Sequence, residues 1–162
     1  SAKSASIFAS MFCFAVCIIL LFAFQFSRGR GVSVPNLPEA LDSQRWQERV
    51  GALKIIDEKG LEISQFKAYP ALLKSNHIAE RYWLVKTLGN STNPATFDDL
   101  LHFLNDPHSN VVTMALYAIG KRGDRDMIDD IMKIITTTDN WYIQWYAYKA
   151  LRSIGWRQTK SN

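Results

Sequence analysis

The chain has 162 residues, 48% of them hydrophobic, with 19 basic and 15 acidic side chains and a net charge of +4. That length suits one ordinary domain, and the charges of both signs are interspersed rather than gathered into a basic tract, which excludes the usual footprint of a nucleic-acid-binding protein. Both cysteines, Cys13 and Cys17, fall inside one apolar run, so the remainder has no disulfide framework.

The run from Ile7 to Phe26 is 20 residues without a charged side chain. At about 1.5 Å rise per residue it matches the ~30 Å hydrocarbon layer, and a single transmembrane helix over residues 6–26 is expected. It is longer than the core of a cleaved signal peptide, and no small-x-small cleavage site follows it. Wound at 100° per residue, Ser6, Ala9, Ser10, Cys13 and Cys17 share one face, and Phe8, Phe12, Ile19, Phe22 and Phe26 share the opposite one. Small residues at four-residue spacing let a second helix approach closely in lipid, so this face is the expected contact with another subunit of a membrane complex. Arg28, Arg30 and Arg45 outnumber Lys3 and the N-terminal amine on the other side, which leans the water-side domain towards the cytoplasm.

Residues 27–42 contain Gly29, Gly31, Pro35 and Pro38 and read as a linker. Ser43 is then placed to cap a helix whose first large apolar residue is Trp46. From here a period of 31 to 32 residues runs through the chain, with Glu48, Glu80, Val111 and Ile143 as equivalent positions. Four residues later stand Ala52, Leu84, Ala115 and Ala147, and five later Leu53, Val85, Leu116 and Tyr148. Eight later stand Ile56, Leu88, Ile119 and Leu151, which completes one helical face. Gly60, Gly123 and Gly155 follow as helix stops, with Thr92 in the second copy.

Shorter amphipathic segments alternate with these helices, at residues 95–104, 126–136 and 63–74, the last restarted at Pro70. The expected architecture is all-α: the transmembrane helix plus a short α-solenoid of about three and a half helix pairs over residues 43–157, with a tail at 158–162.

The stretch from Asp98 to Asp124, DDLLHFLNDPHSNVVTMALYAIGKRGD, resembles the HEAT-like repeat of the phycocyanobilin-lyase type. The marks are its Leu-Leu helix, Asp106–Pro107 in the turn, Val111, Val112, Ala115, Ala118, Ile119 and Gly123–Asp124. The resemblance continues through Gly155, thins over residues 43–97 and stops before 43. It implies a right-handed stack of antiparallel helix pairs working as a protein-binding scaffold, and it does not imply lyase activity, because fold is not function. Where that repeat often carries Arg after its leading Val, Arg49 and Arg81 keep it, while Val112 and Gln144 do not.

No constellation suggests chemistry. His77 and His108 stand in equivalent turns about one helix spacing, ~10 Å, apart, too far for shared metal coordination, and His102 lies on the helix between them. Asp98, Asp99, Asp124, Asp126, Asp129 and Asp130 sit near helix starts, where they complement the helix dipole. No nucleophile with its base and no phosphate loop is visible, so no enzyme activity, cofactor, metal or small-molecule substrate is expected. Lys54, Lys86 and Lys149 recur in one row, with Tyr117 in the third place, and read as a solvated face.

Trp141, Tyr142, Trp145, Tyr146, Tyr148 and Trp156 crowd a fourth repeat that has a first helix and too little chain for a second. Trp141, Tyr142, Trp145 and Trp156 are the expected partner-binding residues, while Tyr148 and some of the tryptophans are expected to fill the last core layer. Together these readings suggest a non-enzymatic scaffold or accessory subunit of a membrane complex, of the bacterial respiratory or electron-transfer kind, with the lipid bilayer and other subunits as its partners. The alternatives are a transient assembly factor or adaptor, and an enzyme of the bilin-lyase kind.

Overall fold

The 31-to-32-residue period reappears in space as four helices laid side by side. A computed structural model describes residues 36–123 and 125–158, and among them it contains eight α-helices and no strand. The apolar run with Ser6, Ala9, Ser10, Cys13 and Cys17, the expected linker up to residue 35 and residues 159–162 lie outside the described residues. Among the described residues no helix is long and apolar enough to cross a membrane.

Helix α1, Leu37–Leu41, corrects part of the linker reading. Pro38 lies in the first turn, where its missing N–H costs nothing, and Leu37 and Leu41 fall on one face at 1% and 2% exposure. That face packs on α2, Trp46–Lys59, so the folded domain begins before Ser43. The chain continues through a 3-10 turn, Ile63–Gln65, into the one-turn α3, Tyr69–Leu72, which holds Pro70 in its first turn as expected. Then come α4, Ile78–Leu88, and α5, Thr96–His102, extended by a 3-10 turn. The last three are α6, Ser109–Arg122, α7, Ile128–Thr137, and α8, Trp141–Ser153.

Helices α2, α4, α6 and α8 are the first helices of successive repeats, and each packs on the next. The positions four, five and eight after the repeat marker form the core: Leu53, Ile56, Leu84, Val85, Leu88, Ala115, Leu116, Ile119, Ala147 and Leu151 are fully buried. Gly60 and Gly123, at φ +62° and +78°, end α2 and α6 in the left-handed conformation, and Gly155 at +90° follows α8. The second repeat departs from the pattern: α4 ends at Leu88, not near Thr92, and Gly89 keeps φ −65°. Gly89 serves close packing instead, since a Cβ there would stand 3.0 Å from Ala118 Cβ. Gly120 repeats the arrangement one step on, with 3.0 Å to Ala150 Cα.

Ser43 does not cap α2. Its hydroxyl accepts the Arg45 N–H, in the turn before the helix. Ser75 does the same for His77, Asp106 for His108 and Thr138 for Asn140, at 2.8–3.2 Å, so one repeat position closes the turn into every first helix.

Arginines link these turns. Arg49 donates through Nε and Nη2 to both carboxylate oxygens of Glu80, and through Nη1 to the Ser43 carbonyl. Arg81 donates to Asp106 at 2.6 and 3.2 Å and to the Ser75 carbonyl at 3.2 Å. In α6 the arginine is replaced by the buried Val112, and in α8 by Gln144, whose amide donates to the Thr138 carbonyl in the turn before α8 and to the Ile135 carbonyl of α7. The opposite edge of the stack is tied by Asn90 to Asp57, by Lys121 to Asn90, and by Glu62, which accepts from Ser64, Ser91 and the Thr92 N–H.

Glu80 is fully buried. Burial alone would raise its carboxyl, but the Arg49 and Ser75 hydrogen bonds and the guanidinium charge together hold it below the usual carboxylate range. Burial is likewise outweighed at Glu62, by Ser91, Ser64 and the Thr92 amide. Both carboxyls are depressed, so their stabilising contribution is complete above about pH 4.5, near the unfolded value, and is lost as pH falls through the folded values. Thermal unfolding followed between pH 7 and 3 is therefore expected to stay level down to that region and then fall. Arg49→Ala is expected to cost about 2–3 kcal/mol at pH 7, because it strands the Glu80 charge, and to lose less on acidification than the unmodified chain. Gly120→Val, which forces a branched side chain against the Ala150 backbone, is expected to cost about 2 kcal/mol or more.

Candidate docking face

Helix α8 begins where Asn140 turns its side chain back to accept the Tyr142 and Ile143 N–H groups, at 3.0 and 3.4 Å. Ala147, Ala150 and Leu151 then point into the core, and Ile154 follows them just past the helix end. A second stripe holds Trp141, Trp145, Tyr148 and Arg152, spaced 4, 3 and 4 residues apart. Trp141 is 73% exposed, Trp145 53% and Tyr148 40%. The Trp145 and Tyr148 rings stack with centroids 6.1 Å apart, and with Ile135 and Gln144 they line a shallow apolar groove.

The earlier repeats explain this exposure. Trp46 stacks on His77 of the next repeat at 5.5 Å, Arg49 reaches Glu80, and Asp57 receives Asn90. Their counterparts on α8 are Trp141, Gln144 and Arg152. Leu53, Val85 and Leu116, the counterparts of Tyr148, are fully buried, and Val50 and Thr113, two counterparts of Trp145, are 7% and 3% exposed. The Tyr148 position on α8 is thus one that is covered throughout α2, α4 and α6 and the Trp145 position one that is covered in α2 and α6, whereas Ile78, the counterpart of Trp141 on α4, is itself 45% exposed. Among the described residues nothing covers the stripe on α8.

The aromatic cluster divides differently from the sequence expectation. Trp141 and Trp145 are open, whereas Tyr142 is only half exposed, set edge-on to Trp141 and Tyr146 at 5.7 and 5.0 Å. The hydrogen bond between the Tyr142 and Tyr146 hydroxyls pushes the Tyr142 phenol up. Trp156 is half-buried against the core, because the Gly155 turn lets its N–H return to the Leu151 carbonyl at 2.9 Å and folds the ring towards Tyr148. Tyr148, expected in the last core layer, belongs to the open stripe. What hid this was the assumption that its repeat position is covered in every repeat.

The other sequence candidates have structural partners. His77 and His108 occupy the turns before α4 and α6, one stacked on Trp46 and the other accepting the Asn110 N–H. Among the described residues no group of three His, Cys, Asp or Glu side chains is placed to hold a metal. Asp98 and Asp99 lie in the first turn of α5, and Asp129 and Asp130 in that of α7. Asp99 also accepts the Tyr69 hydroxyl at 2.6 Å, a contact no sequence signal announced. The lysine row is not merely solvated: Lys54 and Lys86 both lie over the Trp83 ring, at 5.1 and 4.4 Å, and Lys86 pairs with Asp57 at 3.0 Å. Lys149 lies over Tyr146.

Helix pairs that repeat and stack each on its neighbour define an α-solenoid. A family model described as HEAT repeats matches residues 67–155, more than half of the chain. The chain belongs to the HEAT repeat family. No curated protein matches it.

Replacing Trp156 by Ala is expected to cost about 2 kcal/mol in chemical denaturation, since it uncovers the last core layer. Trp145→Ala is expected to change stability by less than about 0.5 kcal/mol, because that ring covers little that is buried.

Proposed function

We propose that this chain is a non-enzymatic, membrane-anchored scaffold or accessory subunit of a multi-protein membrane complex, and that it binds a protein partner through the open face of α8. HEAT repeats serve protein–protein interaction, and the observation that carries the reading is the exposure of Trp141, Trp145 and Tyr148 along one stripe of α8, Tyr148 at a position that the earlier repeats bury. Exposed Trp and Tyr gathered on a rigid helix supply large contact area at small entropic cost, the property of binding hot spots.

Support for the non-enzymatic part comes from the polar groups. Glu62, Glu80, Asp57 and Asp106 are already engaged as links between repeats, and among the described residues no buried side-chain polar atom lacks a hydrogen-bond partner. The likeness of residues 98–124 to the lyase-type repeat bears on repeat shape and not on activity.

The anchor rests on the uncharged run from Ile7 to Phe26, with Ser6, Ala9, Ser10, Cys13 and Cys17 as its helix-packing face. Contact in the membrane and contact at α8 give two attachments to one assembly, which suits a subunit of an electron-transfer complex. The flanking charges lean the HEAT domain towards the cytoplasmic side.

Purification from native membranes in mild detergent tests the reading. The chain is expected to elute with stoichiometric protein partners, and Trp145→Ala to weaken retention through the α8 face about tenfold, or ~1.4 kcal/mol. Recovery as a lone monomer, unaffected by Trp145→Ala, would count against it.

A further inference from the structure

We propose that the outer side of the first helices is a docking surface for the acidic phospholipid headgroups of a bilayer. This rests on the membrane-anchored reading above and adds a surface distinct from the α8 stripe.

Six residues after the repeat marker stand Lys54, Lys86, Tyr117 and Lys149, one on each first helix, and because each first helix packs on the next they form a row across the stack. Lys54 and Lys149 are exposed, as is Tyr117. Trp83 lies between the first two lysines, with both ammonium groups over its ring at 5.1 and 4.4 Å, and Tyr146 lies under Lys149 at 4.9 Å. Rings that are half-buried and lysines that lie across them are what a membrane–water interface selects. Trp and Tyr rest there at headgroup level, and lysine lays its stem on apolar surface while its charge reaches the phosphates.

The two sides of the repeats also differ in charge. Helices α4, α6 and α8 contain one acidic residue, Glu80, and it is buried on Arg49. On α2, Asp57 is paired with Lys86 and Glu48 with Arg45, which leaves Glu58 against the row. The second helices are the reverse: α5 and α7 carry Asp98, Asp99, Asp129 and Asp130 in their first turns, and neither contains a tryptophan or tyrosine. Complementarity to an anionic surface therefore belongs to the first-helix side, where each lysine near such a membrane adds to the attraction.

Chain length brings the bilayer within reach. Residues 27–35, between the apolar run and the first described residue, span at most roughly 30 Å whatever their path, and Arg28 and Arg30 fall among them.

The test uses the full chain reconstituted into vesicles of phosphatidylcholine, with or without about one third phosphatidylserine. Lysines are acetylated with a membrane-impermeant reagent and read by mass spectrometry. Phosphatidylserine is expected to slow acetylation of Lys54 and Lys149 at least fivefold and to leave the exposed Lys74 and Lys133 unchanged, and 0.5 M salt is expected to reverse the protection. Tyr117→Glu, which sets an acid in the middle of the row, is expected to abolish it with helical content unchanged.

Equal reactivity in the two kinds of vesicle, or protection that survives Tyr117→Glu, overturns the proposal. Protection in the purified complex but not on vesicles also overturns it, and assigns the row to an acidic protein surface. Flotation in a density gradient separates this inference from the anchor. A chain that floats with both vesicles but shows no protection keeps the anchor and loses the docking surface. One that floats only with phosphatidylserine and is released by salt keeps the docking surface and loses the anchor.

Discussion

A helix pair of this size leaves one side of its first helix uncovered, and only a neighbouring repeat can cover it. Every particular feature of the described stack answers that constraint. Gly89 and Gly120 give up their side chains so that the next first helix can reach them at Ala118 and Ala150. Leu53, Val85 and Leu116 carry the apolar contact between those helices, fully shielded from water. Ahead of the first repeat, the short α1 buries Leu37 and Leu41 against α2. On α8 Trp141, Trp145 and Tyr148 stay exposed, and among the described residues no further repeat covers them.

Polar groups set the register of this stacking rather than its strength. A buried carboxylate such as Glu80 carries a large desolvation penalty, which two parallel bonds from Arg49 and one from Ser75 offset. The same arginine also reaches the Ser43 carbonyl, so a single side chain joins the turn of its own repeat to the start of the next helix. Sliding one repeat past another would leave the charge alone in the interior. Arg81 and Asp106 repeat the device, and Val112 ends it. Beyond α6 the stack is held by apolar contact, by the close approach at Gly120 and by the Gln144 bond to the Ile135 carbonyl, and no ion pair of this kind recurs among the described residues.

The separation of stabilising from exposed aromatics follows the same logic. Tyr146 and Trp156 pack against the core, while Trp141, Trp145 and Tyr148 are exposed. The last described part of the stack therefore carries one aromatic set packed on the core and another open to water.

The repeat period, the all-helical class, the core positions and the glycine stops at Gly60, Gly123 and Gly155 were legible in the sequence, because helical periodicity and left-handed caps are local properties of a chain. So was the uncharged run from Ile7 to Phe26. The burial of Glu80, by contrast, depends on Arg49 one repeat earlier, and the half-burial of Trp156 depends on a turn that folds it onto Tyr148. Helix α1 lay hidden behind Pro38, which breaks a helix interior but begins a helix well. Sequence periodicity assigns a residue to a face of its own helix. Which face another helix covers is settled only when the repeats are placed side by side, and for that reason Tyr148, a core position by its period, stands at the open end of the stack.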